Sequence, residues 1–143
     1  MKTLRWFIAG ALAVPLFHQV LLYVLNASGW VPRQPFEMTP TEPFGVPQLI
    51  SLAFWGGVWG VLLGMVVART KSTAAYWIVA GVFGAIAPTL VAVLLVAPLK
   101  GQPIAFDAKM LAVGLLINGV WGLGTAALYR AAGATRQRSA SSV

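Results

Sequence analysis

The sequence predicts an all-α integral membrane protein, with four transmembrane helices arranged as two tandem, parallel-repeat helical hairpins and both termini cytoplasmic. Composition is the first reason. The 143 residues are 59% hydrophobic and only 9% charged, with a mean hydropathy of +0.81. A soluble domain carries about 25% charged residues, because a small protein has much surface and little core. Ten Lys and Arg with three Asp and Glu cannot cover a water-exposed globule of this length. The second reason is four long apolar runs, each able to cross about 30 Å of hydrocarbon. The third is an uneven distribution of cations among the connecting loops. Disordered chains are poor in apolar residues, which excludes disorder. With no cysteine, neither a disulfide scaffold nor a thiolate metal site can form.

The first run covers residues 6–25 behind the basic start Met1-Lys2-Thr3-Leu4-Arg5. Small residues at Ala27-Ser28-Gly29 give it some look of a signal peptide. A signal core is about 7–15 residues, however, and this run is longer, so it is expected to stay as an anchor. Residues 26–47 hold Pro32, Pro35, Pro40, Pro43 and Pro47; prolines that dense forbid a regular helix and favour an extended, partly polyproline-II segment. The second run covers 48–68 and ends in a tight turn, Arg69 to Thr73. The third covers 74–97, a shorter loop follows from Pro98 to Ala108, and the fourth covers 109–129. None of the runs alternates polar and apolar residues as a barrel strand does. Residues 1–73 thus form one hairpin and 74–130 a second. The small, polar and basic stretch 131–143 is expected to be a mobile tail.

Lys2, Arg5, Arg69, Lys71, Arg130, Arg136 and Arg138 fall at one set of helix ends, and Arg33, Lys100 and Lys109 at the other. Seven cations against three put both termini in the cytoplasm. The net charge of +7 is mainly this topology signal. The cations are spread over short loops with no basic helix, so no nucleic-acid partner is expected; the expected partner is the lipid bilayer. Small size and charge bias together point to a bacterial cytoplasmic membrane.

The two hairpins read as copies. Trp6-Phe7-Ile8-Ala9-Gly10 matches Trp77-Ile78-Val79-Ala80-Gly81, and Pro15 matches Pro88. Gly57-Val58-Trp59-Gly60 is identical to Gly119-Val120-Trp121-Gly122. Both copies enter from the same side, which makes the repeat parallel, with its pseudo-two-fold along the membrane normal. Each proline is expected to kink its helix and free a carbonyl.

Gly56, Gly60, Gly64 and Ala68 recur every four residues, as do Gly114, Asn118, Gly122 and Ala126. That spacing makes one small-residue ridge per helix, and close backbone approach provides much of the attraction between helices in lipid. The ridges serve either packing inside one four-helix bundle, where the two can pair with each other, or a homodimer interface. Trp59 and Trp121 sit beside them at mid-span, where an indole N–H needs an acceptor.

The polar residues inside the spans are few: His18, Gln19, Ser51, Thr89, Asn118 and Thr125. All but Thr125 fall in the middle or outer half of the membrane. His18 alone could titrate near neutral pH. It is expected inside the bundle, bonded to Asn118 or Thr89, because an unmatched ring N–H in hydrocarbon costs several kcal/mol. No Asp or Glu lies in any span, and Glu37 and Glu42 share a proline-rich loop, so paired-carboxylate chemistry has no frame. No catalytic residue, metal or cofactor is expected. Three functions remain: a non-catalytic scaffold or accessory subunit of a membrane complex or homo-oligomer; a small-solute or ion transporter or channel using His18 and the outer-half polar groups; and a cofactor-binding subunit or enzyme built on His18.

Overall fold

A computed structural model describes residues 1–101, 104 and 107–140, with side chains through Gly133. The chain is mostly helical. Among the described residues four helices are long and apolar enough to cross a membrane. Helix α1 covers Lys2–Ala27, α2 Gln48–Val67, α3 Thr73–Leu99, and α4 Ala108–Ala140, apolar as far as Gly133. α4 runs past the expected end at Tyr129. The residues beyond it are rich in Ala, Arg and Gln, good helix formers, with only Gly133 to weaken the helix. The expected tail and the Pro98–Ala108 loop fall partly outside the described residues.

Two helices contain a wider turn. In α1 a π-helical turn at Val14–His18 surrounds Pro15, and the Gln19 N–H reaches back five residues to the Val14 carbonyl. In α3 a second covers Ala92–Val96, four residues beyond Pro88, closed by the Ala97 N–H on the Ala92 carbonyl. Proline lacks the N–H and crowds the preceding turn. In α1 the widened turn holds Pro15 itself, whereas in α3 the turn that contains Pro88 stays α-helical and the widening comes one turn later. An extra residue in a turn also rotates everything that follows it, which matters for Gln19.

The proline-rich loop is more structured than an extended segment. β1 (Pro40–Thr41) and β2 (Val46–Pro47) pair antiparallel, Pro40 opposite Pro47 and Thr41 opposite Val46. The Thr41 hydroxyl donates to the Val46 carbonyl (2.7 Å), and Gly45 turns the ribbon at φ +66°. Earlier in the loop the Asn26 amide donates to the Val31 carbonyl (2.9 Å). That bond folds Val31 back onto Leu22 of α1 and Val113 and Ile117 of α4.

Each hairpin is an antiparallel pair whose backbones touch. A Cβ on Gly60 would lie 2.5 Å from the Trp6 carbonyl oxygen and 2.9 Å from the Gly10 Cα, and one on Gly10 would strike the Gly56 carbonyl. In the second hairpin a Cβ on Gly84 would lie 2.7 Å from the Gly122 Cα and 2.8 Å from the Asn118 carbonyl oxygen. One on Gly122 would strike the Ala80 carbonyl. The predicted ridges therefore lie against the chain's own α1 and α3, not against each other. Gly64 faces the Trp6 indole, and Gly114 faces the Thr89 methyl, 3.2 Å from its would-be Cβ. By place in the crossings Gly10 stands with Gly84 and Gly60 with Gly122, one turn away from the Gly10–Gly81 string match, and Gly10-Ala11-Leu12-Ala13 stands where Gly84-Ala85-Ile86-Ala87 does.

The hairpins join mainly through α1 and α4. Trp6 stacks on Tyr129 with ring centroids 3.8 Å apart, Phe17 covers Gly124, and Trp121 packs with Ala13 and Val14. On the other side Trp59 of α2 meets Phe83 of α3 edge to face, and Leu63 and Val67 pack with Ala80.

The crossings make a sharp prediction. Gly60→Ala and Gly84→Ala should each lower thermal stability in detergent by about 1–3 kcal/mol, because the neighbour is backbone and cannot give way. At Gly81 an added Cβ meets only the Leu123 side chain, at 3.4 Å, and alanine also improves helix propensity. Gly81→Ala should be neutral or stabilising; equal losses at Gly81 and Gly84 would refute the crossing.

Candidate functional site

The polar side chains expected to gather in one place form separate sets. The first begins at the π turn of α1, which carries His18 at its end and turns the next residue, Gln19, inward to 3% exposure. The Gln19 carbonyl oxygen accepts from the Phe36 backbone N–H in the proline-rich loop (2.7 Å). Its amide nitrogen faces Nδ1 of the half-buried His18 ring (3.3 Å). These two contacts fix the chemistry of the set. A backbone N–H can only donate, so the atom facing Phe36 is the oxygen and the amide NH2 faces the ring. Nδ1 is then the acceptor, and the proton of the neutral imidazole sits on Nε2. Phe36 is held at φ 53°, a left-handed conformation rare for an aromatic residue, and the bond to Gln19 helps keep it there.

The second set is Asn118 and Thr89. The Asn118 amide donates to the Thr89 hydroxyl (2.9 Å) across the α3–α4 crossing, with Thr89 3% exposed. The sequence predicts a bond from His18 to Asn118 or Thr89; the structure instead sets His18 beside Gln19. Asn118 and Thr89 belong to one hairpin, one turn beyond the Gly84–Gly122 contact, and satisfy each other. Ser51, in the first turn of α2, joins neither set. A third set ties the hairpins together: the Trp121 indole N–H donates to the Gly10 carbonyl (2.9 Å), and the Thr125 hydroxyl to the Trp121 carbonyl (2.9 Å). Trp121 thus finds the acceptor its depth requires.

Sequence reasoning missed Gly10, Gly84 and Phe36. Gly10 and Gly84 stand outside the two i,i+4 ridges, although the shared Gly-Ala-Leu/Ile-Ala string marks both. Phe36 carries no signal at all, since its role is played by its backbone N–H. Among the described residues no three His, Cys, Asp or Glu side chains come together to hold a metal ion, and each fully buried side-chain nitrogen or oxygen has a partner. What this arrangement can do chemically is fasten helix to helix and loop to helix.

No family model, no curated protein and no solved structure matches the chain. The fold and its polar sets define a class only: a four-helix protein compatible with a membrane.

Replacing Gln19 tests the loop tie. Gln19→Ala should speed amide hydrogen exchange at Phe36 by about fivefold or more, since losing one part-buried bond to this loop is worth on the order of 1 kcal/mol or more. Exchange near Val31, fastened separately by Asn26, should change little. Unchanged exchange at Phe36 would mean the loop is held elsewhere.

Proposed function

We propose that this chain is a multi-pass protein of a cell membrane, bacterial and cytoplasmic, with both termini inside, acting as a non-catalytic scaffold or accessory subunit of a membrane complex or homo-oligomer. The carrying observation is the outward display of large aliphatic side chains along whole helices. Glycines line the close crossings inside each hairpin, with Trp6, Leu63 and Trp121 packed between the helices, while Leu4, Ile8, Leu12, Leu16, Val20 and Val24 make an outward stripe along α1, each 47–61% exposed. On α3, Ile78, Val82, Ile86, Leu90 and Leu94 do the same at 41–64% exposure. In water such stripes would be a large unsatisfied apolar surface; against acyl chains they are at home, and packing of small residues holds the helices together.

The scaffold reading rests on the use already made of the polar groups, whose bonds run to other parts of the same chain. Since the glycine ridges are filled by α1 and α3, a partner subunit or a second copy would meet an outward stripe. The cytoplasmic placement of both termini rests on the seven-to-three division of cations, and the parallel repeat on the matched glycine crossings. A second reading, a solute or ion pathway through His18 and the outer-half polar groups, draws on the π turn that carries His18, because such turns recur at functional sites.

Topology is tested by cysteine labelling in a chain with no native cysteine. In intact cells an impermeant maleimide should label Thr39→Cys in the proline-rich loop and leave Ala140→Cys unlabelled; the reverse pattern would overturn the orientation. His18→Gln separates the two functions. A scaffold should retain its thermal stability within about 1 kcal/mol and its assembly state, since an amide replaces one hydrogen bond. A proton-coupled pathway reconstituted in liposomes should instead lose its pH-dependent flux, because glutamine carries no proton.

A further inference from the structure

One end of the molecule gathers cations with no acid to meet them. Lys71 lies in the turn between α2 and α3, and Arg130 lies on α4 beside it. The three acids of the chain, Glu37, Glu42 and Asp107, all belong to the loops at the opposite helix ends. Between Lys71 and Arg130 runs an open surface groove of about 420 Å³, with Thr73, Tyr76 and Tyr129 in its wall.

Arg130 does not wander in this opening. Its guanidinium lies 5.1 Å from the Tyr76 ring centre and 5.8 Å from that of Trp77, within cation–π reach of both. The Tyr76 ring is fixed in turn, because its hydroxyl donates to the Ala126 carbonyl (3.0 Å). A planar, always-charged fork is thus seated on an aromatic shelf with Lys71 across the opening. This is the geometry in which arginine meets phosphate oxygens. The first turn of α3 adds little to the attraction, because the Ser72 hydroxyl already accepts from the Ala75 N–H (3.1 Å). Charge on side chains is what the groove offers.

Directly along α4 from Arg130, seven and fourteen residues back on the same face, the surface turns apolar: Leu123 is 40% exposed and Leu116 48%. A ligand matching both features carries a phosphate and a long apolar chain on one molecule. We infer that the Lys71–Arg130 groove binds the phosphate of an anionic phospholipid, whose acyl chains run down α4 over Leu123 and Leu116. The inference rests on the membrane reading above but not on which face is cytoplasmic.

The test is native mass spectrometry of the full chain in detergent, with phosphatidylglycerol or phosphatidylcholine added at equal concentration, where both ends of the protein are accessible. The wild type should retain phosphatidylglycerol in preference. Lys71→Gln and Arg130→Gln should each weaken that binding about fivefold (about 1 kcal/mol per cation) and the double variant should remove the preference. Arg130→Lys keeps the charge without the planar fork and should fall between wild type and Arg130→Gln. Lys109→Gln, at the opposite end, should bind as the wild type does. Melting temperatures of the variants within a few degrees of wild type ensure that folded protein is compared. Equal retention of both lipids, or a preference that survives in the double variant, would overturn the site. So would inorganic phosphate competing as well as the lipid does, since the acyl chains would then contribute nothing. Carbonate extraction of cell membranes checks the membrane reading separately: a chain released by carbonate sinks that reading, whereas an anchored chain without lipid preference sinks only this site.

Discussion

Two places where one helix backbone lies directly on another set the terms for everything else in this molecule. At Gly10–Gly60 and at Gly84–Gly122, Cα atoms and carbonyls meet with no side chain between them. Where the surroundings are as apolar as leucine, burying leucine gains nothing, and the attraction left to helices is close van der Waals contact. Glycine permits the closest contact, so the crossings form there, and the large buried side chains, Trp6, Leu63 and Trp121 among them, pack beside the crossings rather than within them. The outward stripes of α1 and α3 follow from the crossings as much as from the solvent they face.

The crossings also explain where the polar groups go. A carbonyl at a close crossing has its helix partner but keeps a lone pair, and the Gly10 carbonyl uses it to accept from Trp121. That single bond puts a wide indole between the hairpins at the level of the first crossing, and it orients α4 against α1. Asn118 and Thr89 lie one turn past the second crossing and close on each other. The π turn around Pro15 places His18 and Gln19 out of reach of that pair and turns Gln19 to the loop. Each buried polar side chain is therefore satisfied near its own backbone level. Hydrogen bonds between membrane helices contribute only about 0.6–2 kcal/mol, while an unmatched polar group in hydrocarbon costs several, so satisfaction rather than attraction governs placement.

The sequence makes the coarse architecture legible because length and composition are blunt signals. Four apolar runs gave four helices, with α2 ending one residue short of its expected end at Ala68 and α4 extended by its helix-forming residues. The ridges were legible as surfaces, since i,i+4 spacing fixes a helix face. Their partners were not. A face does not say which helix covers it, and string matching paired Gly10 with Gly81, one turn away from the residue that occupies the matching crossing. The site was less legible still. Its central bond is donated by the backbone of Phe36, which no side-chain inventory registers, and it depends on a turn one residue wider than the 3.6-residue period used to assign faces. The short ribbon at Pro40–Pro47 escaped because its prolines argue against strand, although Pro40 and Pro47 stand at its open end and leave the closing Thr41 and Gly45 bonds intact.

Matched positions about the two crossings reveal where the hairpins differ. Gly56 in the first stands where Asn118 stands in the second; Pro15 stands opposite Thr89, and His18-Gln19 opposite Ala92-Val93. Trp59 and Trp121 are the same residue type at the same place, yet Trp121 donates to a carbonyl of the other hairpin while Trp59 lies against Phe83. The small residues that make the crossings are kept in both, and the polar residues are not. The second hairpin uses its polar pair to close on itself, and the first uses its pair to hold the proline-rich loop. Two polar groups are spent on joining them: the Trp121 indole on the Gly10 carbonyl, and the Arg5 guanidinium on the Tyr129 carbonyl (3.3 Å). The α1–α4 seam is accordingly the more extensive contact between hairpins, and the α2–α3 side is held by aromatic and aliphatic packing. Like crossings with unlike fastenings leave the two hairpins with one seam that carries hydrogen bonds and one held by aromatic and aliphatic packing.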